Sequence, residues 1–196
     1  MTTLATQSTP RTLADAVPGG LVRNIALVLG GSALVGLSAQ VVIPLPFTPV
    51  PLTLQTFAVL LTVSALGSIR GLLSMAVYLL AGLVGVPWFS GGSSGYGGAS
   101  FGYIVGFLVA ALIVGGLAER YGADRKVAPA LGLMVLGNLG IYAVGMPWLM
   151  VSTGMDLPTA LGAGVLPFLA GDALKVIGAA GLLPAVWALL RPGAED

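Results

Sequence analysis

The sequence predicts an all-α membrane protein with six transmembrane helices and both termini on the cytoplasmic side. Three observations carry that expectation. First, 57% of the 196 residues are hydrophobic and only 8% are charged, against about 25% charged in an ordinary soluble domain. So few charges could not cover a water-soluble fold of this size, and the mean hydropathy of +1.01 agrees. A disordered chain is excluded as well, because disorder goes with few apolar residues and much charge. Second, the apolar residues form continuous runs rather than a period-two alternation, which indicates helices and not barrel strands. Third, the basic residues fall in alternate connections between those runs.

Residues 1–20 are small and polar, with Pro10, Arg11, Asp15 and Pro18. They lack the apolar stretch of a secretory signal and read as a cytosolic tail preceding a membrane domain over 21–191. The runs themselves are 21–43, 53–69, 71–87, 100–118, 127–147 and 163–190. Each approaches or exceeds the ~20 residues that cross a bilayer. Only helices or closed barrels satisfy the backbone in lipid.

The charges orient them. Arg11 precedes the first run, Arg23 stands at its very start, and Arg70 sits in the turn between the second and third. Arg120, Arg125 and Lys126 join the fourth and fifth, and Arg191 follows the sixth. The connections 44–52, 88–99 and 148–162 contain no Lys or Arg. By the positive-inside rule, the basic side is cytoplasmic. An odd number of crossings would scatter these residues over both sides.

The opposite, outer connections are built from special backbone residues. One runs Pro44-Leu45-Pro46-Phe47-Thr48-Pro49-Val50-Pro51, which favours a stiff, extended segment. Another contains Gly91-Gly92-Ser93-Ser94-Gly95-Tyr96-Gly97-Gly98, a permissive loop. They serve either as plain connectors or as a wall and a lid over an outward-facing pocket. In the first helix, Ala26, Gly30 and Ala33, with Ser32 and Gly36, allow close backbone approach. Internal packing and a partner surface explain these small residues equally well.

With the basic residues above assigned to connections, Lys175 is the cation left inside a run, and Asp172 precedes it by three positions. Residues i and i+3 share a helix face. Ionisable groups within a membrane are costly and mark functional sites by default. A pair that merely pins the bundle is the competing explanation, although a buried ion pair is a poor source of stability. Counting from residue 163 at 1.5 Å per residue, Asp172 is expected about 14 Å below the outer surface.

The other candidates cluster near the outer ends. Gln55 follows the proline loop, and Ser100 and Tyr103 follow the glycine loop. Asn138 and Tyr142 lie one turn apart on the fifth run, and Trp88 and Trp148 end the third and fifth. For Tyr142 and the tryptophans an interfacial anchor is the alternative, and for Asn138 an interhelical hydrogen bond. Together these groups suit a small, partly apolar solute carrying a carboxylate and an amide-like group.

Absences narrow the function further. The chain has no His and no Cys, which removes the commonest acid–base residue and the commonest metal ligands. It contains no phosphate-binding G-x-x-x-x-G-K-[ST] loop and no G-x-S-x-G elbow. A net charge of +1 offers no surface for nucleic acid. No cofactor, metal or catalytic residue is expected, and the chain has no ATPase of its own.

Four segments, taken in order, resemble the BioY family, the biotin-specific substrate-binding (S) components of energy-coupling-factor (ECF) transporters. Thr48-Pro49-Val50-Pro51-Leu52-Thr53-Leu54-Gln55 is similar to that family's P-V-P-x-x-x-Q element, and Leu79–Pro87 to its helix 3 ending. Gly98-Ala99-Ser100-Phe101-Gly102-Tyr103-Ile104-Val105-Gly106-Phe107 resembles its G-P-[ST]-G-G-Y-x-x-G-F element, with Ala99 in place of Pro and Phe101 in place of Gly. Gly171-Asp172-Ala173-Leu174-Lys175 resembles its G-D-x-x-K element. The resemblance implies an ECF S-component-like bundle in a prokaryotic cell membrane that captures biotin from outside. It implies partners as well: a transmembrane coupling subunit, docked on the small-residue face of the first helix, and ATPase subunits. Asp172 and Lys175 would contact the polar ends of biotin, supported by Gln55, Ser100, Tyr103 and Asn138. Electrostatics alone pairs Lys175 with the valerate carboxylate and Asp172 with the ureido N–H groups. The remaining readings are an S component for another vitamin, a porter using Asp172 for proton coupling, and a non-transporting scaffold locked by Asp172 and Lys175.

Overall fold

The structure, a computed structural model, describes residues 11–190. Arg191 and the first ten residues of the expected tail lie outside the described residues. Among the described residues, five helical stretches are long and apolar enough to cross a membrane. They are α1 (Leu21–Ser38), α2 (Gln55–Leu83), α3 (Phe101–Tyr121), α4 (Val127–Thr153) and the stretch Leu157–Leu190. The last is composite: a short helix α5 (Leu157–Gly164), a 3-10 turn (Leu166–Phe168) and α6 (Leu169–Leu190).

The expectation of six differs from this at α2. The runs 53–69 and 71–87 become the two arms of α2, whose backbone turns back at Gly67, φ 82° and ψ −175°. A straight helix would hold residues 55 and 78 about 35 Å apart, yet the Gln55 side-chain amide donates to the Tyr78 hydroxyl at 2.9 Å. The two arms of α2 are therefore antiparallel neighbours. Glycine is required at the reversal, because positive φ excludes most side chains. A Cβ on Gly67 would also lie 2.9 Å from both Glu119 Oε2 and Thr12 Cγ2. The partner surface is a π turn in α3, Ala111–Gly115. There a Cβ on Gly115 would come within 2.7 Å of the Gly67 carbonyl carbon.

The described part of the expected tail is folded. Residues Leu13–Ala16 form a 3-10 turn with a capping box, in which the Thr12 amide and hydroxyl donate to Asp15 Oδ2 at 3.0 and 2.9 Å. Arg70 pairs with Asp15 Oδ1 at 2.5 Å, and Thr12 and Ala14 are buried. Burial pushes the Asp15 carboxyl up, but the hydrogen bonds from Arg70 and Thr12 outweigh it, so the group sits below the ordinary carboxylate value. Beside this turn, Glu119 Oε2 accepts from the Ser68 amide and hydroxyl at 3.1 and 2.8 Å.

At the opposite end, α1 stops at Ser38, short of the expected 43. The Gln40 amide then donates to the carbonyls of Gly36, Trp88 and Phe89, tying this end to the glycine loop. The proline segment is not simply extended. It is closed by a two-stranded antiparallel ribbon, β1 (Val42–Ile43) with β2 (Leu52–Thr53). The Thr48 hydroxyl anchors it to the Ala163 carbonyl at 2.7 Å. Helix α2 lies centrally, packed on α1, α3 and α6, while α4 packs on α3 and α6. Tyr78, Leu60, Met75 and Met134 fill the core, whereas Leu29, Leu136, Val151 and Ile177 face outward. An apolar exterior around a core containing polar groups is the arrangement expected in lipid.

Candidate functional site

One cavity gathers most of the expected residues. It lies under the proline ribbon and is lined by Val50, Pro51, Leu52 and Thr53 of that ribbon and by Gln55 and Thr56, which open α2. Ser90 of the glycine loop joins Ser100, Tyr103, Ile104 and Phe107 around the start of α3. The far wall comprises Asn138, Ile141 and Tyr142 of α4, Phe168, and Asp172 and Lys175 of α6.

Local sequence explains why these side chains converge. Gln55 begins α2 directly after β2, and Ser100 is the residue before α3, so both polar groups come from element ends next to the outer loops. Asn138 and Tyr142 share a face of α4 by their four-residue spacing. Asp172 lies in the first turn of α6, because 157–168 forms a separate helix and turn. The expected continuous helix from residue 163 is thus interrupted before Asp172. The carboxylate instead benefits from the partial positive charge of a helix N-terminus.

The polar groups form a chain across the cavity. The Tyr142 hydroxyl donates to Asp172 Oδ2 in a short hydrogen bond. Lys175 Nζ donates to Asp172 Oδ1 at 3.1 Å and to the Thr56 hydroxyl at 2.9 Å. The Asp172 and Lys175 side chains are only 10% and 12% exposed. Burying either group alone would be costly, and each has the other as its charge partner. Around the chain, the Tyr103 hydroxyl donates to the Gly164 carbonyl at 2.9 Å, and its ring meets Tyr142 edge-on with centroids 6.1 Å apart.

Seven expected residues line the cavity: Asp172, Lys175, Gln55, Ser100, Tyr103, Asn138 and Tyr142. Trp88 is not among the lining residues. Its indole N–H donates to the Tyr78 carbonyl at 3.0 Å, and its ring packs 5.2 Å from that of Tyr78. It acts behind the wall, where Tyr78 accepts from Gln55 and donates to the Trp88 carbonyl. Trp148 caps the glycine loop through its bond to the Gly98 carbonyl at 3.0 Å. Thr56 was not anticipated. A hydroxyl within an apolar helix, adjacent to Gln55, is the signal that would have found it.

Known proteins resemble this chain in the same terms. The family model described as the BioY family matches residues 5–192. A probable biotin transporter BioY of Methanothermobacter thermautotrophicus is 42% identical over 132 residues, covering 62% of this chain and 83% of that protein. The biotin transporter BioY of Rhodobacter capsulatus is 34% identical over 183 residues, covering 82% and 94%. Among solved structures, the S-component for biotin from an ECF-type ABC transporter superposes with a TM-score of 0.78 at 25% identity, covering 85% of this chain and 91% of that one.

Proposed function

The chain belongs to the BioY family, and from that premise we propose that it is the substrate-capturing S component through which an ATP-driven ECF transporter takes up biotin. The observation that carries the reading is the cavity under the proline ribbon, lined by a desolvated carboxylate and ammonium in contact with each other. It is a multi-pass membrane protein. In this reading the two arms of α2 cross the bilayer separately, giving six crossings with both ends cytoplasmic in a prokaryotic plasma membrane. Transport then relies on a coupling subunit and ATPase subunits, and the chain itself catalyses no reaction. The stripe Ala26, Gly30 and Ala33 faces outward on α1, whereas Ser32 and Gly36 are buried, which supports the former three as the docking face.

The contact between Asp172 and Lys175 bears on ligand orientation. The ureido ring and the carboxylate of biotin stand at opposite ends of the valerate chain. Two groups 3.1 Å apart favour joint reading of one end, in place of the one-group-per-end pairing that charge alone suggests. A mutually neutralised pair suits the neutral ureido ring: Asp172 accepts from a ring N–H and Lys175 donates to the ring carbonyl. A biotin carboxylate placed here would meet the Asp172 charge. The ring then lies among Tyr103, Phe107, Ile141 and Tyr142, and Gln55, Ser100 and Asn138 supply polar contacts.

Titration of purified protein with biotin and with biotin amide tests both parts. Nanomolar-range binding of biotin supports the function, and no binding to folded protein overturns it. Comparable binding of the amide supports the ureido assignment, whereas a large loss that disappears in Lys175→Ala returns Lys175 to the carboxylate.

A further inference from the structure

At the end of the molecule opposite the ligand cavity, a cleft of about 690 Å³ is lined by Arg11, Ser68, Glu119, Arg120, Tyr121 and Arg125, with two glycines. It is independent of the ligand site. The geometry points to a binding site for the phosphodiester headgroup of an anionic phospholipid.

Three arginines line it with one carboxylate, Glu119, whose Oε2 accepts from the Ser68 amide and hydroxyl, while the neighbouring Asp124 carboxylate is buried behind the wall and accepts from the Trp187 indole. The guanidinium groups are held by their surroundings. Arg125 stacks 4.6 Å over the Trp187 ring and reaches the Arg11 carbonyl at 3.4 Å, and Arg120 lies 5.6 Å over the Tyr121 ring. Arginine's planar fork matches phosphate oxygens better than a point charge does. Basic pockets at the cytoplasmic ends of membrane helices bind anionic headgroups for this reason.

Position distinguishes a lipid from a soluble anion. The cleft opens where α2 reverses and α3 ends, at the rim of the apolar belt. Tyr121 is 67% exposed there, in the manner of an interfacial aromatic. Ile69 and Leu112 are exposed on the adjoining apolar surface, where acyl chains below a bound headgroup would lie.

The test uses the full-length protein in neutral detergent. Its thermal unfolding midpoint is followed by circular dichroism during addition of short-chain phosphatidylglycerol, phosphatidylcholine of the same chain length, or inorganic phosphate. Phosphatidylglycerol should raise the midpoint saturably, and the other two should not. Arg120→Gln and Arg125→Gln should each raise the half-saturating phosphatidylglycerol concentration about fivefold, while Arg23→Gln, outside the cleft, leaves it unchanged. Unaltered biotin binding certifies that the variants are folded. If Arg120→Gln does not fold, Arg11→Gln replaces it with the same expected shift. An equal response to inorganic phosphate or phosphatidylcholine overturns the lipid site, as does wild-type phosphatidylglycerol binding by the cleft variants.

Discussion

The two ends of this molecule use the same chemical groups for different purposes. At the cavity end, Asp172, Lys175, Tyr142 and Thr56 bond mainly to one another and line a partly open cavity. At the opposite end, Asp15, Arg70, Glu119 and Asp124 bond across chain segments. They fasten the N-terminal turn to α2, the α2 reversal to α3, and the α3–α4 connection to Trp187 of α6. A carboxylate that ties segments together stabilises the fold in proportion to what it joins. The Asp172–Lys175 pair also reaches other segments, through Tyr142 of α4 and Thr56 of α2, but it faces a cavity, so a ligand shares in justifying its desolvation. The comparison teaches that burial of charge does not identify a site. What identifies it is whether the partners leave an opening between them.

Variants can break or sharpen that contrast. The largest effect is expected at the cavity end, where Asp172→Ala and Lys175→Ala should each weaken biotin binding by at least about 2 kcal/mol, because each strands a buried polar partner. Isothermal titration reads this. If both variants bind normally but unfold more easily, the pair is a structural lock and the contrast fails. Next, Gly67→Ala should destabilise the fold by about 1–3 kcal/mol, because alanine must adopt a positive φ within 2.9 Å of Glu119 and Thr12. Denaturant unfolding measures it, and the folded fraction should retain wild-type biotin affinity. Thr56→Ala, which removes one acceptor from the Lys175 ammonium, should cost about 1.5 kcal/mol of biotin affinity with little change in stability. Thr56→Ser should restore most of it.

The smallest effect concerns pH. The Asp15 carboxyl lies below its ordinary value when folded, so the fold prefers its ionised form. Its contribution to stability is present above the unfolded value and is lost as pH falls through the lowered folded value. Asp124 shifts the other way: burial raises it, only partly offset by the Trp187 hydrogen bond. Its charged form therefore disfavours folding as pH rises. Thermal unfolding against pH should show Asp15→Asn less stable than wild type near neutrality and equal to it in acid. Asp124→Asn should relieve the opposite dependence.

Much of the site was legible because charge is so scarce. Asp172 and Lys175 stand out as the ionised residues within an apolar run, and Gln55, Ser100 and Tyr103 are marked by the loops they adjoin. Trp88 was drawn in by its position at a helix end, but its ring is absorbed by packing against Tyr78 and the backbone of Gly36, where a Cβ would lie 2.9 Å from the indole. Thr56 escaped notice because one hydroxyl does not disturb an apolar run, and its importance depends on Lys175 crossing from α6. The folding of residues 12–16 escaped for a similar reason: polar residues with no periodicity show no local preference for order, and their partner Arg70 is distant in sequence. The Arg70 turn was visible, but the reversal at Gly67 depends on a positive φ that one glycine among 30 does not announce.

The central claim is that the pair Asp172–Lys175 at the cavity reads a ligand while the pair Asp15–Arg70 at the opposite end holds the chain. Biotin titration of Asp172→Asn and Asp15→Asn side by side, each with its unfolding midpoint, tests this most directly. The account predicts that Asp172→Asn loses affinity and keeps its midpoint, and that Asp15→Asn loses midpoint and keeps affinity. The reverse pattern, or equal affinity in both, contradicts it.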